Sequence, residues 1–225
     1  MLAELRAVRA VAFDLDGTLI DSAADIGHAV NTALAAAGLK RFDLATVRTW
    51  IGDGPDALIA RALGAQGVSA EDVALRQSLR AGFDAATLAA PLAHGQVFPG
   101  IAALLRQLSE RPYPLAVVTN KPTRLARAVI DAAGLLPWFA LVQGADSAAQ
   151  RKPSPAMLQT TATQLGVTAS QLLMVGDAPP DILAASAAGC PAALVSWGYG
   201  AHAVPTGLDP WRVDRPEQIG DRLLA

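Results

Sequence analysis

Short, nearly continuous apolar runs alternate along the chain with longer segments whose apolar positions recur at helical spacing. That alternation predicts an α/β protein built on a parallel sheet. The runs at 8–15, 115–119, 140–142, 172–175 and 192–195 read as strands. Their unbroken apolar character suits strands covered on both faces. Helices are predicted at 101–108, 124–133, 155–165 and 180–188. Three of them stop at Gly134, Gly166 and Gly189, where a left-handed end residue is wanted.

The stretch from Ser22 to about Ala93 has a different texture. It holds no convincing strand and predicts helices at 26–37 (stopped by Gly38), 44–51, 57–63 (before Gly64) and 70–89. Ser69 with Asp72 resembles a capping box for the last of these. The Pro- and Gly-bearing segment 91–100 reads as a return linker. A helical block inserted after the first strand divides the chain into an α/β core, 1–21 with 94–225, and a helical cap, 22–93. Its 225 residues suffice for one core of ordinary size with such an insertion.

Composition narrows the partners. The chain is 52% hydrophobic and 17% charged, with a formal net charge of −2. That balance carries no polyelectrolyte signature, so nucleic acid is not expected as a partner. Local cations or a metal can still make an anion site on a mildly acidic protein. Cys190 is the single cysteine, which excludes an internal disulfide, and its apolar surroundings suggest a buried thiol. Residues 1–11 carry Glu4, Arg6 and Arg9 and no long apolar stretch, so neither a secretory leader nor a membrane span is expected. Cytoplasm is the expected compartment, and a monomer or homodimer the expected state.

The chemistry-bearing residues fall at strand ends. Asp14-Leu15-Asp16-Gly17-Thr18-Leu19-Ile20-Asp21 closes the first strand. Alternation points Asp14 and Asp16 to one side of an ideal strand. Carboxylates that close repel unless a cation lies between them or one is protonated. An oxygen-rich acidic site suits Mg²⁺, and a turn at Gly17 leaves backbone N–H groups to face an anion. An acidic turn capped by Asp21 or Ser22 is the plainer alternative. Gly176-Asp177-Ala178-Pro179-Pro180-Asp181 follows another apolar strand. Asp177 would stand at the strand tip, where open parallel sheets bind ligands. Otherwise Asp177 caps a helix and Asp181 complements its dipole. Thr119-Asn120-Lys121 and Arg151-Lys152-Pro153 supply a hydroxyl, an amide and cations at further strand or loop ends. Phosphoryl transfer needs a nucleophile, cations and a metal gathered at such a place.

With these motifs in order, the chain resembles the haloacid dehalogenase-like hydrolase superfamily, and within it the phosphoglycolate phosphatases with a helical cap. The superfamily pattern is carried by Asp14-x-Asp16-Gly17-Thr18, Thr119, Lys152-Pro153 and Gly176-Asp177-xxx-Asp181. The narrower likeness rests on Asp21-Ser22-Ala23-Ala24-Asp25, Trp50-Ile51-Gly52-Asp53-Gly54, Thr119-Asn120-Lys121 and Trp197-Gly198-Tyr199-Gly200. The resemblance implies a Rossmann-like core and an Mg²⁺-dependent hydrolysis of a small phosphate ester through an aspartyl-phosphate. It implies that Asp14 is the nucleophile and a metal ligand. Asp16 would be the general acid and then base, with its carbonyl on the metal. Thr119 and neighbouring backbone N–H groups at Leu15, Gly17 and Asn120 would hold phosphoryl oxygens, and Lys152 would neutralise Asp14 and the phosphoryl group. Asp177 would bind the metal, with Asp181 behind it. Gly52, Asp53, Gly54 and Lys121 become candidates for reading the substrate, for which 2-phosphoglycolate leads.

Two positions depart from that pattern. Relatives usually carry Ser or Thr where this chain has Ala178, and Pro179-Pro180 removes two backbone donors as well. Relatives often have Asn where Asp53 stands, and a carboxylate facing the substrate would oppose an anionic leaving group. Asp53 must then point outward, pair with a cation such as Arg48 or Arg61, or select a neutral or hydroxylated leaving group. Another small phosphoester such as a sugar phosphate, or a phosphomutase on the same scaffold, shares these motifs. A dehalogenase would need neither Asp16 nor a metal. A binding or regulatory protein on a retired scaffold would be expected to lack Asp14, Asp16 or Lys152, and all three are present. His28, His94 and His202 show no metal-ligand spacing.

Overall fold

The computed structural model describes residues 4–111 and 113–224. The part of the N-terminal reading that falls on Met1–Ala3 lies outside them. In chain order the elements are β1 (Ala10–Phe13), β2 (Ile20–Asp21), α1 (Ala23–Ala36), α2 (Leu44–Arg48), α3 (Pro55–Gly64), α4 (Val73–Ala89), β3 (Gln96–Val97), α5 (Ile101–Ser109), β4 (Leu115–Thr119), α6 (Thr123–Ala132), β5 (Leu141–Gly144), α7 (Ala156–Gln164), β6 (Leu172–Gly176), α8 (Pro179–Ala188), β7 (Ala192–Val195), β8 (Trp211–Val213) and α9 (Glu217–Leu224).

Six strands form one parallel sheet in the order β5-β4-β1-β6-β7-β8. All five expected strands are there. The first is shorter than expected, because only Ala10–Phe13 pairs on both sides, although the Asp14 N–H still reaches Val175 O at 2.9 Å. Strand alternation splits the core in two. Val11 and Phe13 pack with α5, α6 and α9, while Ala10 and Ala12 pack with α7 and α8. Helices therefore cover both faces. Cys190 is buried in the second cluster, and burial pushes its thiol up to about 11.

The chain runs from β1 outward through β4 and β5, then returns to β6 on the other flank of β1. Ligands bind where such a sheet reverses its winding, beyond the carboxyl ends of the strands. Asp14 and Asp177 follow the neighbouring strands β1 and β6 at that place.

Helices α1–α4 bury their own apolar cluster, including Ile26, Val30, Leu58, Leu79 and Phe83, joined by Leu125 of α6. An antiparallel ribbon unseen in the sequence, β2 with β3, pairs the outgoing chain with the returning one. Two local expectations are corrected. The last helix starts at Val73, and Asp72 caps it by accepting from Leu75 N at 3.0 Å, while Ser69 accepts from Glu71 N. Gly64 lies inside α3, and Gly67, at φ 69°, makes the turn beyond it. The strand Trp211–Val213 was also missed, since three residues with Arg212 between them carry no apolar run.

Candidate active site

At the carboxyl edge of the sheet, β1 delivers Asp14, the following turn delivers Asp16, β4 ends in Thr119, and the turn after β6 carries Asp177. Asp181 lies in the first turn of α8, and Lys152 reaches in from the loop before α7. One carboxylate oxygen from each of Asp14, Asp177 and Asp181 falls within 4.8 Å of the others, and all three residues are buried. The Lys152 ammonium sits 2.6 Å from Asp181 Oδ1 and 2.9 Å from Asp14 Oδ1, and donates to Val118 O at 2.8 Å. Beyond this ion pair with Lys152, the buried Asp14 Oδ1 has no partner.

Burial dominates the electrostatics. It carries the Asp14 carboxyl up to about 6, against the pull of Lys152. Asp177 likewise rises to about 6, through burial and then the charge of Asp14. Asp181 is raised by burial in spite of Lys152. Lys152 stays protonated, because the attraction of Asp14 and Asp181 outweighs its own desolvation.

Asp16 occupies a different environment. Lys121 Nζ straddles its two oxygens at 2.7 and 2.9 Å, and Ser22 Oγ donates to Oδ1 at 2.5 Å. Lys121 is thus a buried, paired cation and not a solvated one. Four carboxylates (Asp14, Asp16, Asp177 and Asp181) meet two ammonium groups, leaving two negative charges, the charge of one divalent cation. The unbonded Asp14 Oδ1 among hard oxygen donors fits the same group. A charge cluster this dry is costly unless so compensated.

The plainer readings of the two acidic turns fare unequally. Ser22 makes no capping bond to α1. Asp177 caps nothing, since its oxygens accept from Thr18 Oγ1 at 3.0 Å and Tyr199 N at 2.7 Å. Asp181 does accept from Ala178 N at 3.1 Å, in addition to holding Lys152. Among the phosphate-binding candidates, Gly17 needs correction. The Gly17 N–H is taken by Ile20 O at 2.9 Å. Gly17 is needed for closeness instead: φ is 89°, and a Cβ would stand 2.5 Å from Asp177 Oδ2. Both amide protons of Asn120 go to carbonyls, Gly52 O at 2.9 Å and Lys152 O at 3.1 Å, and its oxygen accepts from Lys152 N at 2.7 Å. Its side chain therefore braces two loops and has no donor left for a substrate.

The helical layer closes over these groups. A cavity of about 30 Å³ is lined below by Asp14, Asp16, Thr119 and Lys121, and above by Ile26, Trp50, Gly52, Gly54, Leu58 and Phe83. Asp53 is not part of that lining; its carboxylate pairs with Arg61. His28 and His94 are exposed, with ring centroids 5.0 Å apart.

The sequence profile of the haloacid dehalogenase-like hydrolases matches residues 8–189. The chain belongs to that family. Among haloacid dehalogenase-like relatives, a phosphoglycolate phosphatase of Rhodospirillum rubrum is 41% identical over 232 residues, covering 96% of this chain and 95% of that protein. A phosphoglycolate phosphatase of Yersinia pseudotuberculosis is 40% identical over 200 residues, 88% of this chain and 85% of its own. The crystal structure of a predicted phosphoglycolate phosphatase from Haemophilus somnus matches with a TM-score of 0.86 at 30% identity, covering 95% of this chain and 96% of that one. The haloacid dehalogenase-like motifs read from sequence thus meet at one sheet edge. Sequence reasoning gave no role to Thr18 and offered Ser22 only as a helix cap, yet they hold Asp177 and Asp16. Both lie inside the quoted motifs, which was the available signal. Among the described residues no helix is long and apolar enough to cross a membrane.

Proposed function

We propose that the protein is an Mg²⁺-dependent phosphatase for a small phosphomonoester, with 2-phosphoglycolate as the leading candidate. The observation that carries this reading is Asp14 Oδ1, a buried carboxylate oxygen with no hydrogen bond, beside Lys152 and the Asp16–Lys121 pair. Asp14 attacks phosphorus and becomes the aspartyl-phosphate. The departing alkoxide takes a proton from Asp16. Asp16, now ionised, deprotonates the water that attacks the same phosphorus, and Asp14 is released with inorganic phosphate. Thr119 Oγ1 and Lys152 flank the transferring oxygens. The Asp14 and Asp177 carboxylates and the Asp16 carbonyl would hold Mg²⁺, with Asp181 fixing Lys152 behind them. A bound Mg²⁺ supplies charge neutralisation on the phosphoryl oxygens.

Residues 22–93 act as the cap in this reading. The 30 Å³ cavity holds only a few waters, too little for a phosphate ester, so the cap lifts to admit substrate and product. Its apolar ceiling of Ile26, Trp50, Leu58 and Phe83 offers nothing to a row of sugar hydroxyls, which favours a short leaving group over a sugar phosphate or a mutase cycle. Lys121 is the one ammonium placed to meet the carboxylate of phosphoglycolate, and the outward turn of Asp53 removes the expected repulsion. The deciding experiment is hydrolysis of phosphoglycolate against a panel of phosphorylated metabolites, with verified metal removal and Mg²⁺ restoration. Preferred phosphoglycolate turnover that vanishes on chelation and returns with Mg²⁺ is expected. Undiminished turnover in metal-free protein would overturn the reading, and activity confined to sugar phosphates would remove the substrate.

A further inference from the structure

The segment Trp197-Gly198-Tyr199-Gly200 takes no part in the chemistry above, yet it touches both Asp177 and the start of the helical layer. The Tyr199 N–H donates to Asp177 Oδ2 at 2.7 Å. Trp197 Nε1 donates to Thr18 O at 3.1 Å, and Thr18 Oγ1 holds the other oxygen of Asp177 at 3.0 Å. The loop can lie this close only because residue 198 is glycine: a Cβ there would stand 2.3 Å from Asp177 Cβ and 2.4 Å from Gly17 O. From that anchorage the Tyr199 side chain points the opposite way, to the place where the chain leaves the core. Its hydroxyl donates to Asp21 Oδ1 at 2.7 Å and accepts from Ala23 N, the first residue of α1, at 3.1 Å. On the ring lies the guanidinium of Arg48, from α2, 4.7 Å from the centroid.

The outgoing and returning connections are themselves tied. Asp21 pairs with Gln96 in the β2–β3 ribbon, and Asp25 Oδ1 accepts from Ala93 N at 2.9 Å and His94 N at 2.8 Å. One residue therefore bonds at its backbone to a carboxylate of the cation site, and at its side chain to the joint on which the helical cap turns. We propose that Tyr199 is a positioning residue that couples cation binding at Asp177 to the closed setting of the cap. A cation that fixes Asp177 fixes the Tyr199 backbone, and with it the phenol that holds Asp21 and Ala23. By reciprocity, a closed cap that holds the phenol presents Asp177 in its binding orientation. This rests on the cation site of the proposed function.

Tyr199→Phe tests the idea, because it keeps the ring, the Arg48 contact and the backbone N–H while removing only the two hydroxyl bonds. Mg²⁺ affinity is measured by titration calorimetry, and amide exchange at Ala93 and His94 with and without Mg²⁺. Neither amide touches Tyr199, so a merely local loss would leave their response to Mg²⁺ unchanged. The wild type is expected to slow exchange at both amides when Mg²⁺ binds. The variant is expected to bind Mg²⁺ about fivefold more weakly and to lose that response. A variant with wild-type affinity and a wild-type exchange response overturns the coupling alone. A wild type that binds Mg²⁺ without slowing those amides overturns it too, and one that binds no Mg²⁺ overturns the cation site with it.

Discussion

Replacing Asp14 by Asn should silence the protein and, without metal, make it more stable. Burial carries the Asp14 carboxyl from 3.8 to about 6, a value that already includes the help of Lys152. A raised carboxyl destabilises the fold only when ionised. Its penalty is absent below the unfolded value, grows as pH climbs through about 6, and is complete above that. At pH 8 the ionised form costs about 3 kcal/mol relative to the unfolded chain. An amide carries no charge to desolvate. The loss of the 2.9 Å contact between Oδ1 and Lys152 is already counted in the value of about 6, and Lys152 keeps Asp181 at 2.6 Å. The Asn variant in chelator at pH 8 should therefore melt about 6–12 °C above the wild type, given 2–4 °C per kcal/mol for a chain of this size. At pH 4 the advantage should shrink to about 0.5 kcal/mol.

Magnesium should close the gap. A ligand at a hundredfold excess over its dissociation constant stabilises by about 2.7 kcal/mol, and the variant lacks a carboxylate to share in that gain. Turnover should fall at least about a thousandfold, since an amide is a poor nucleophile. The assay is thermal melting by circular dichroism at both pH values, with chelator and with Mg²⁺, beside phosphate release. A variant that melts at or below the wild type in chelator at pH 8 would refute the claim that Asp14 is held against its electrostatic interest. The same melting difference at pH 4 and pH 8 would refute its electrostatic origin.

Three further substitutions separate roles at the site. Asp53→Asn should change kcat/KM for phosphoglycolate and for a neutral phosphoester equally and by less than about twofold, because the carboxylate faces Arg61 in a half-exposed pair; a selective gain on phosphoglycolate would show that Asp53 turns inward. Gly17→Ala should destabilise by at least about 2 kcal/mol, from a φ of 89° and a Cβ 2.5 Å from Asp177 Oδ2, and calorimetry should show weaker Mg²⁺ binding; unchanged melting and affinity would mean that the turn relaxes freely. Asn120→Ala should lower stability by about 2–4 kcal/mol in urea unfolding, since it strips partners from Gly52 O, Lys152 O and Lys152 N; a near-neutral result would mean that water replaces the amide.

What the sequence made readable was whatever had a period or a fixed order. Strands buried on both faces left unbroken apolar runs, so β4, β6 and β7 could be placed to within a residue. Helix-ending glycines at 134, 166 and 189 marked real ends, with φ of 68°, 70° and 75°. The ribbon β2–β3 left no trace, because two residues per strand hold no periodicity and its register is set by partners far apart in the chain, Ile20 with Val97 and Asp21 with Gln96. The pairing of Asp53 with Arg61 was one of the options read from the sequence, and spacing alone did not choose between Arg61 and Arg48.

The site was legible as a set of residues and illegible as a set of hydrogen bonds. Each acidic turn alone had a plainer reading, and it was the ordered combination at strand ends, with the resemblance it carried, that picked out Asp14, Asp16, Thr119, Lys152, Asp177 and Asp181. Which atom is spent internally depends on distances of a few tenths of an ångström between loops. Gly17 illustrates the point: its N–H was expected to face the anion, and it goes to Ile20 O instead. Lys121 goes the other way: the resemblance offered it to the substrate, and no sequence signal showed that Asp16 accepts from it twice. That pair bears on the reaction. Paired with the Lys121 ammonium, Asp16 sits as a carboxylate, so in the proposed reaction it must take up a proton before it can serve as the acid. An anionic leaving group that draws Lys121 to itself would free Asp16 to take that proton from solvent. The pair would then tie the readiness of the acid to a substrate carrying a second negative charge.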